Sequence, residues 1–295
     1  MLVHLDFIGD IHGHFVKFKM LLERLGYNYD ESLKTYTHPQ QRKIVVLGDF
    51  INVGMQNKEI LYTLYQMHTK QQALIIAGNH EYFLALLYHK TINNKNTLWY
   101  YIQRDYFPLY IEYNNKKEDL YPYIEWMLQL PLFIDFENAK AIHAIWDENN
   151  YNFLKAHNTV KEMIEFIAAN PEYKERLNKA IMGITIKVNT NNNPKATFFR
   201  YKWWENNQEI PISELFIHKK EHFTSDLRNE IDLDSLKINI PNEPIFFGHY
   251  NLRGFPYLTN PTKCCLDFGG AKGGYLTAYR WDGETILDAN KIIYV

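Results

Sequence analysis

Seven side chains of metal-binding type stand at the downstream ends of apolar runs. Asp10 and His12 follow Leu2–Ile8, and Asp49 follows Lys43–Leu47. Asn79 and His80 follow Ala73–Ala77, His143 ends Ala139–His143, and His249 follows Pro244–Phe247. In layered α/β proteins, ligands bind outside the carboxyl ends of strands. A mixed oxygen and nitrogen donor set suits Mn, Fe or Zn rather than Ca or Mg alone. Taken singly, each element has an ordinary structural reading. Asp-Ile-His is a common surface turn, Asn79-His80 can cap a following helix, and His143 can be a satisfied core histidine. Their co-occurrence at successive strand ends favours chemistry over these readings. Gly9, Gly13, Gly48, Gly78 and Gly248 flank them, permitting tight turns and close backbone approach.

The elements that must position these residues alternate between apolar runs and amphipathic stretches, the pattern of a layered α/β fold. Strands are expected at Leu2–Ile8, Lys43–Leu47, Ala73–Ala77, Leu132–Phe136 and Ala139–His143. Four more are expected at Pro244–Phe247, Lys263–Phe268, Tyr275–Trp281 and Lys291–Val295. Helices are expected at Phe15–Leu25, Asn57–His68, Glu81–Tyr88, Leu120–Leu130, Val160–Ala169 and Glu172–Ile181. Phe15, Phe18, Leu21 and Leu22 share one face of the first. Polar Asn93–Thr97 punctuates the chain before an aromatic-rich segment. The composition changes between about 147 and 239, with turn-rich Asn189–Pro194 and a charged run near Lys219–Asp234. That segment reads as a cap-like insertion in a single domain spanning 1–295.

The 295 residues carry 32 Lys+Arg and 34 Asp+Glu, a formal charge of −2, which excludes the basic excess of a dedicated nucleic-acid binder. With 46% hydrophobic and 22% charged residues, the chain can bury a core and is not globally disordered. No apolar run approaches the roughly 18 residues of a membrane span, and Met1–Gly9 is too short for a secretory signal. The two cysteines, Cys264 and Cys265, are adjacent and form no disulfide framework. A soluble, cytoplasmic protein is the expectation.

Gly-Asp-Ile-His-Gly (9–13), Gly-Asp-Phe-Ile-Asn-Val-Gly (48–54), Gly-Asn-His-Glu (78–81), Ile-His-Ala (142–144) and Gly-His-Tyr (248–250) occur in this order. Together they resemble the five motifs of calcineurin-like metallophosphoesterases. The resemblance is to the bacterial branch that looks like phosphoprotein phosphatases and symmetrical dinucleoside tetraphosphatases. It implies an α/β fold, a central β-sandwich flanked by helices, and a binuclear site. Asp10 and His12 would hold one ion, Asp49 would bridge, and Asn79, His143 and His249 would complete the second. The implied cofactors are two divalent ions, with Mn ahead of Fe or Zn. The implied activity is hydrolysis of phosphomonoesters or nucleotide phosphoanhydrides, with His80 as general acid. Small phosphorylated substrates or nucleotides are the expected partners, ahead of phosphoproteins, with no membrane and no dedicated nucleic-acid binding.

The departures from the family pattern fall beside the cage. Asn52 stands where the family places a carboxylate that orients the general-acid histidine; an amide oxygen can still accept from imidazole but cannot balance an imidazolium. Val53 replaces a phosphate-gripping arginine, and Ala77 sits where Ser/Thr phosphatases often carry another. Arg200, Arg253 and Lys272 are candidate substitutes, each with an ordinary surface or hairpin-turn reading beside it. Trp146, Trp203 and Trp204 could stack a nucleobase, though core packing is the better expectation at this aromatic density. A degenerate metal-binding protein with little turnover, or a protein phosphatase, are the alternatives.

Overall fold

The computed structural model describes residues 4–190, 193–205, 214–217 and 236–295. The charged run near Lys219–Asp234 lies outside the described residues, as do Asn191 and Asn192 of the turn-rich stretch. In chain order the first half comprises β1 (Leu5–Ile8), α1 (Phe15–Leu25), β2 (Asn28–Asp30), β3 (Thr35–Thr37), β4 (Lys43–Val46), α2 (Asn57–Thr69), β5 (Ala73–Ile75) and α3 (Asn79–Thr91). There follow α4 (Lys95–Asp105), α5 (Phe107–Tyr113), α6 (Tyr121–Leu128), β6 (Phe133–Phe136) and β7 (Ala139–Ile142). Next come α7 (Glu148–Ala156), α8 (Val160–Ala169), α9 (Lys174–Met182), β8 (Thr185–Thr190), β9 (Asn193–Tyr201) and β10 (Phe216–Ile217). The chain closes with β11 (Ile245–Phe247), β12 (Lys263–Cys265), β13 (Asp267–Phe268), β14 (Tyr275–Trp281) and β15 (Ile292–Tyr294).

Two sheets face each other. One runs β13-β14-β1-β4-β5, with β15 also on β14; the other runs β12-β11-β7-β6. β1, β4 and β5 are parallel, as are β7, β11 and β12, so each group delivers its loops to one edge. Period-two alternation builds the two cores. Leu5, Phe7, Val45 and Leu47 point between the sheets to meet Ala141, Phe246 and Cys264. Phe7 stacks on Phe246 with ring centroids 3.8 Å apart. Ile8, Ile44 and Val46 point the other way, against Phe18, Leu21 and Leu22 of α1 and Ile60, Leu61 and Leu64 of α2. Each fully buried ring or branched chain contributes roughly 1.5–3 kcal/mol of transfer free energy. The same alternation sends Cys264 into the inter-sheet core and Cys265 into the helix-side core. Burial pushes both thiols up, which makes them packing groups rather than nucleophiles.

Several elements differ from expectation. Lys263–Phe268 is two strands in two sheets, β12 and β13, because the chain changes sheet at Leu266. The aromatic-rich segment after Asn94 forms α4 and α5, with the Asn94 side chain capping α4 at Thr97 N, 3.1 Å. α7 and the β8–β9 hairpin fall in the inserted segment. Met163, Ile164, Leu177, Ile181, Trp203 and Phe216 of that segment share the helix-side core. No helix among the described residues is long and apolar enough to cross a membrane.

Candidate metal centre

α3 begins at Asn79, two residues earlier than expected, so Asn79 and His80 occupy its first turn. Gly78 precedes them where a Cβ would strike Asp49, and Gly248 lies where a Cβ would strike the Asp10 carboxylate. His12, Asp49 and His249 have φ of 47, 47 and 72°, a left-handed region that L-residues seldom adopt. Asn52 and Val53 follow at 68 and 67°. Such conformations persist only where surrounding bonds fix them. Here His12 N donates to Asp49 O at 2.9 Å and Gly13 N to Phe50 O at 2.9 Å, which zips two loops together.

Glu81 supplies the main fixture, and the sequence reading gave it no role. Its buried carboxylate accepts from the backbone N–H groups of Asp49 (2.8 Å), Phe50 (2.9 Å), Ile51 (3.1 Å) and Gly78 (2.9 Å). Burial, followed by the charge of Asp49, pushes it up to about 7, and the N–H donors work against that shift. Asn57 is the second fixture. Its Oδ1 accepts from Asn52 N at 2.7 Å, and its Nδ2 donates to Gly54 O at 2.8 Å. The available signal for Glu81 was its position as the third residue of a helix, where acids commonly bond back to the preceding turn.

The cage centres on Asp49. Its Oδ2 lies 3.3 Å from His143 Nε2, 3.7 Å from His12 Nε2 and 3.9 Å from His80 Nε2. One terminal amide atom of Asn79 stands 3.0 Å from His249 Nδ1, 3.1 Å from His143 Nε2 and 3.2 Å from Asp49 Oδ2. Two donor groups emerge, His12–Asp49–His80 and Asp49–His143–His249, with Asp49 in both. Asp10 joins from the side. Its Oδ2 is 3.9 Å from His12 Nε2, and its carboxylate accepts from His249 N at 3.1 and 3.2 Å.

The histidines are oriented from behind. His12 Nδ1 donates to Ile51 O at 3.1 Å, and His143 Nδ1 donates to Leu47 O at 2.6 Å. The His249 ring bonds the backbone of Met182. Each therefore turns its other nitrogen inward, the arrangement that presents a lone pair to a cation.

Electrostatics point the same way. Burial raises Asp10 well above the ordinary carboxyl range, reinforced by nearby Asp267. Burial also acts upward on Asp49, but His143, His80 and His12 outweigh it and hold Asp49 well below that range. His143 is opposed by burial yet pushed up to about 10 by Asp49. Among the described residues, the ion-pair partners of Asp10 and Asp49 are histidines. Buried carboxylates without Lys or Arg partners call for positive charge, and a divalent cation bound by these donors fits.

The remaining expected residues are placed as follows. Asn52 differs from its expected role. Its Nδ2 donates to Asp105 O at 3.1 Å and faces His80 Nδ1 at 3.3 Å, because a carbonyl can only accept. His80 thus accepts at Nδ1 and carries its hydrogen on Nε2. Burial lowers His80, with His12, His143 and Lys272 adding to the effect and Asp49 opposing it. Val53 is 44% exposed. Arg200, on β9, donates to His249 O at 2.7 Å, behind the cage. Lys272 is exposed on the Gly270–Lys272 turn, and Arg253 is exposed on the loop after β11. Trp146, Trp203 and Trp204 are buried, so their faces belong to the core. Asp267, another residue given no role, accepts from Asn251 N at 2.5 Å and Gly269 N at 3.0 Å, fixing the loop behind Asp10.

The profile of the calcineurin-like phosphoesterase family matches residues 3–251, and the chain belongs to that family. It is a hydrolase acting on phosphate esters. It is 27% identical over 295 aligned positions to a symmetrical bis(5'-nucleosyl)-tetraphosphatase of Wigglesworthia glossinidia brevipalpis, covering 94% of this chain and 95% of that protein. An asymmetrical bis(5'-nucleosyl)-tetraphosphatase PrpE of Anoxybacillus flavithermus is 35% identical over 75 residues, which is 25% of this chain and 30% of that protein. The crystal structure of a putative diadenosine tetraphosphatase superposes with a TM-score of 0.54 at 17% identity, covering 100% of this chain and 94% of the other. That likeness supports the fold.

Proposed function

We propose that the cage holds two divalent cations, Mn foremost, and that phosphomonoesters or nucleotide phosphoanhydrides are hydrolysed there. The observation that carries this reading is the Asp49 carboxylate standing 3.7 Å from His12 Nε2 and 3.3 Å from His143 Nε2, with both histidines tied from behind to backbone carbonyls. Asp10 and His12 would hold one ion. Asn79, His143 and His249 would hold the other, and Asp49 would touch both. When bound, such ions neutralise phosphate charge and activate water as Lewis acids. The chain's own part is to hold the donors rigid, through Glu81 and Asn57, and to place His80 Nε2–H beside the ester oxygen. A hydrogen bond from His80 to that oxygen favours departure of the leaving group.

The segment at about 147–239 acts as a cap-like support, since Met182 and Arg200 both bond His249. Lys272 and Arg253 are the exposed cations proposed to meet the substrate, while Arg200, expected from the sequence to do so, is committed to the His249 carbonyl behind the cage; a small nucleotide is the favoured partner by analogy with the tetraphosphatases. A second reading, ligand binding with little turnover, is favoured by Asn52 donating to His80 where a carboxylate would accept. The test is turnover by chelated and Mn-reloaded protein on p-nitrophenyl phosphate, phosphopeptides and dinucleoside polyphosphates. Metal-dependent turnover of a small phosphoester supports hydrolysis; tight binding without turnover supports the second reading.

A further inference from the structure

A cavity of about 450 Å³ opens directly beside the cage, with Asn79 and His80 at its inner end. Its walls are Phe83, Leu86 and Leu87 of α3, with Tyr101 of α4 and Tyr106 just beyond that helix. Tyr106 is fixed in place by donating its hydroxyl to His80 O at 3.0 Å. Two cations among the described residues stand at the rim, and one of them is already engaged. Arg104 pairs with Asp105 through two 2.7 Å bonds and lies 4.7 Å over the Tyr101 ring. Lys90 is exposed and makes no ion pair among the described residues. A second, more apolar cavity of about 300 Å³ continues outward over Ile164 and Leu177, sharing Phe83, Leu86 and Lys90 with the first.

We infer that this cavity receives the leaving group, and that the substrate is a phosphomonoester of an apolar, ring-bearing alcohol. The inference rests on the phosphoesterase reading and narrows it, favouring the phosphomonoester over the nucleotide phosphoanhydride. A phosphate held at the cage with its ester oxygen toward His80 directs the carbon substituent between Phe83 and Tyr106. A phosphate-bearing leaving group would there meet leucine and phenylalanine with, among the described residues, a single uncommitted lysine at the rim, an uncompensated desolvation of charge. An aryl group instead buries apolar surface on the aromatic and aliphatic walls. In the step, water oxygen bonds to phosphorus and the phosphorus–ester oxygen bond breaks. The ester oxygen keeps that electron pair and takes up a proton, giving the alcohol and inorganic phosphate.

The test compares kcat/KM of the Mn-loaded full chain for phenyl phosphate, 1-naphthyl phosphate and ADP, in wild type and in Leu86→Trp. The second ring is worth about tenfold in a fitted apolar pocket, so naphthyl phosphate exceeds phenyl phosphate by roughly that factor. ADP is the poorest of the three. Filling the cavity in Leu86→Trp brings the naphthyl-to-phenyl ratio to about one. Calorimetric binding of naphthylmethyl phosphonate to wild type and to Leu87→Asp gives a readout independent of turnover, with about tenfold weaker binding in the variant. A wild-type ratio near one, a preference for ADP, or phosphonate binding indifferent to Leu87→Asp overturns the inference. If none of the three is turned over while dinucleoside polyphosphates are, the inference is overturned; if no phosphoester is turned over, the phosphoesterase reading fails, and the phosphonate measurement still decides the pocket.

Discussion

Replacing Asn52 by aspartate changes one donor into an acceptor at nearly constant volume. In the wild type, Nδ2 donates to Asp105 O at 3.1 Å and faces His80 Nδ1 at 3.3 Å, which keeps the ring hydrogen on Nε2. A carboxylate accepts from Nδ1–H instead and stabilises the imidazolium. A hydrogen bond to a charged group is worth about 1.5–3 kcal/mol. At about 1.4 kcal/mol per unit, His80 rises by about one to two pKa units. A raised His80 keeps its acid form to higher pH, so the basic limb of the kcat/KM profile moves upward by the same interval. Alkyl phosphates, whose leaving oxygen needs a proton, gain more than nitrophenyl esters. The substitution also removes the bond to the Asp105 carbonyl and sets an oxygen against it, costing about 1–3 kcal/mol of stability. The assay is kcat/KM against pH for one alkyl and one aryl phosphate, on folded, Mn-loaded protein. An unshifted basic limb, or equal gains for both esters, refutes the proton placement at His80.

Asp49→Asn should weaken occupancy of both ions, since one amide replaces the carboxylate common to both donor groups; elemental analysis retaining two equivalents at unchanged affinity would count against it. Glu81→Ala orphans four backbone N–H groups and should cost at least about 3 kcal/mol and weaken metal binding; denaturant unfolding and a Mn titration read the two effects. Val53→Asn should raise stability by about 1 kcal/mol, because a β-branched residue sits at φ 67° with 44% of its surface exposed; thermal melts check the sign. Asp282 is held below the ordinary carboxyl range against opposing burial by Arg42, His4 and Lys291. A depressed carboxyl stabilises fully above its unfolded pKa of about 4 and loses that contribution as pH falls, so the Tm difference between wild type and Asp282→Asn should be present near neutrality and shrink on acidification.

The motifs at residues 10, 12, 49, 79, 80, 143 and 249 were legible because each is a short run at the end of an apolar strand. The structure brings all seven together. The apolar runs Leu2–Ile8 and Lys43–Leu47 likewise announced strands. Glu81 carried only the weak signal of an acid in a first helical turn, and Asn57 none, because their partners are backbone groups of other loops whose positions exist only after folding. The direction of the Asn52 amide was hidden for the same reason. It is set by the Asp105 carbonyl, fifty-three residues away in α4, and that helix lay in a stretch too aromatic for a clear period. The split of Lys263–Phe268 escaped because both halves are apolar, and a buried run carries no mark of which sheet it joins.

The central claim is a pair of cations sharing Asp49 that together support hydrolysis. Its most direct test is a Mn²⁺ titration of chelated protein, with metal bound and phosphoester turnover followed on the same samples. Binding should saturate at two equivalents, with turnover rising until the second is bound. Saturation at one equivalent, or two bound ions with no turnover of any phosphoester, would contradict it.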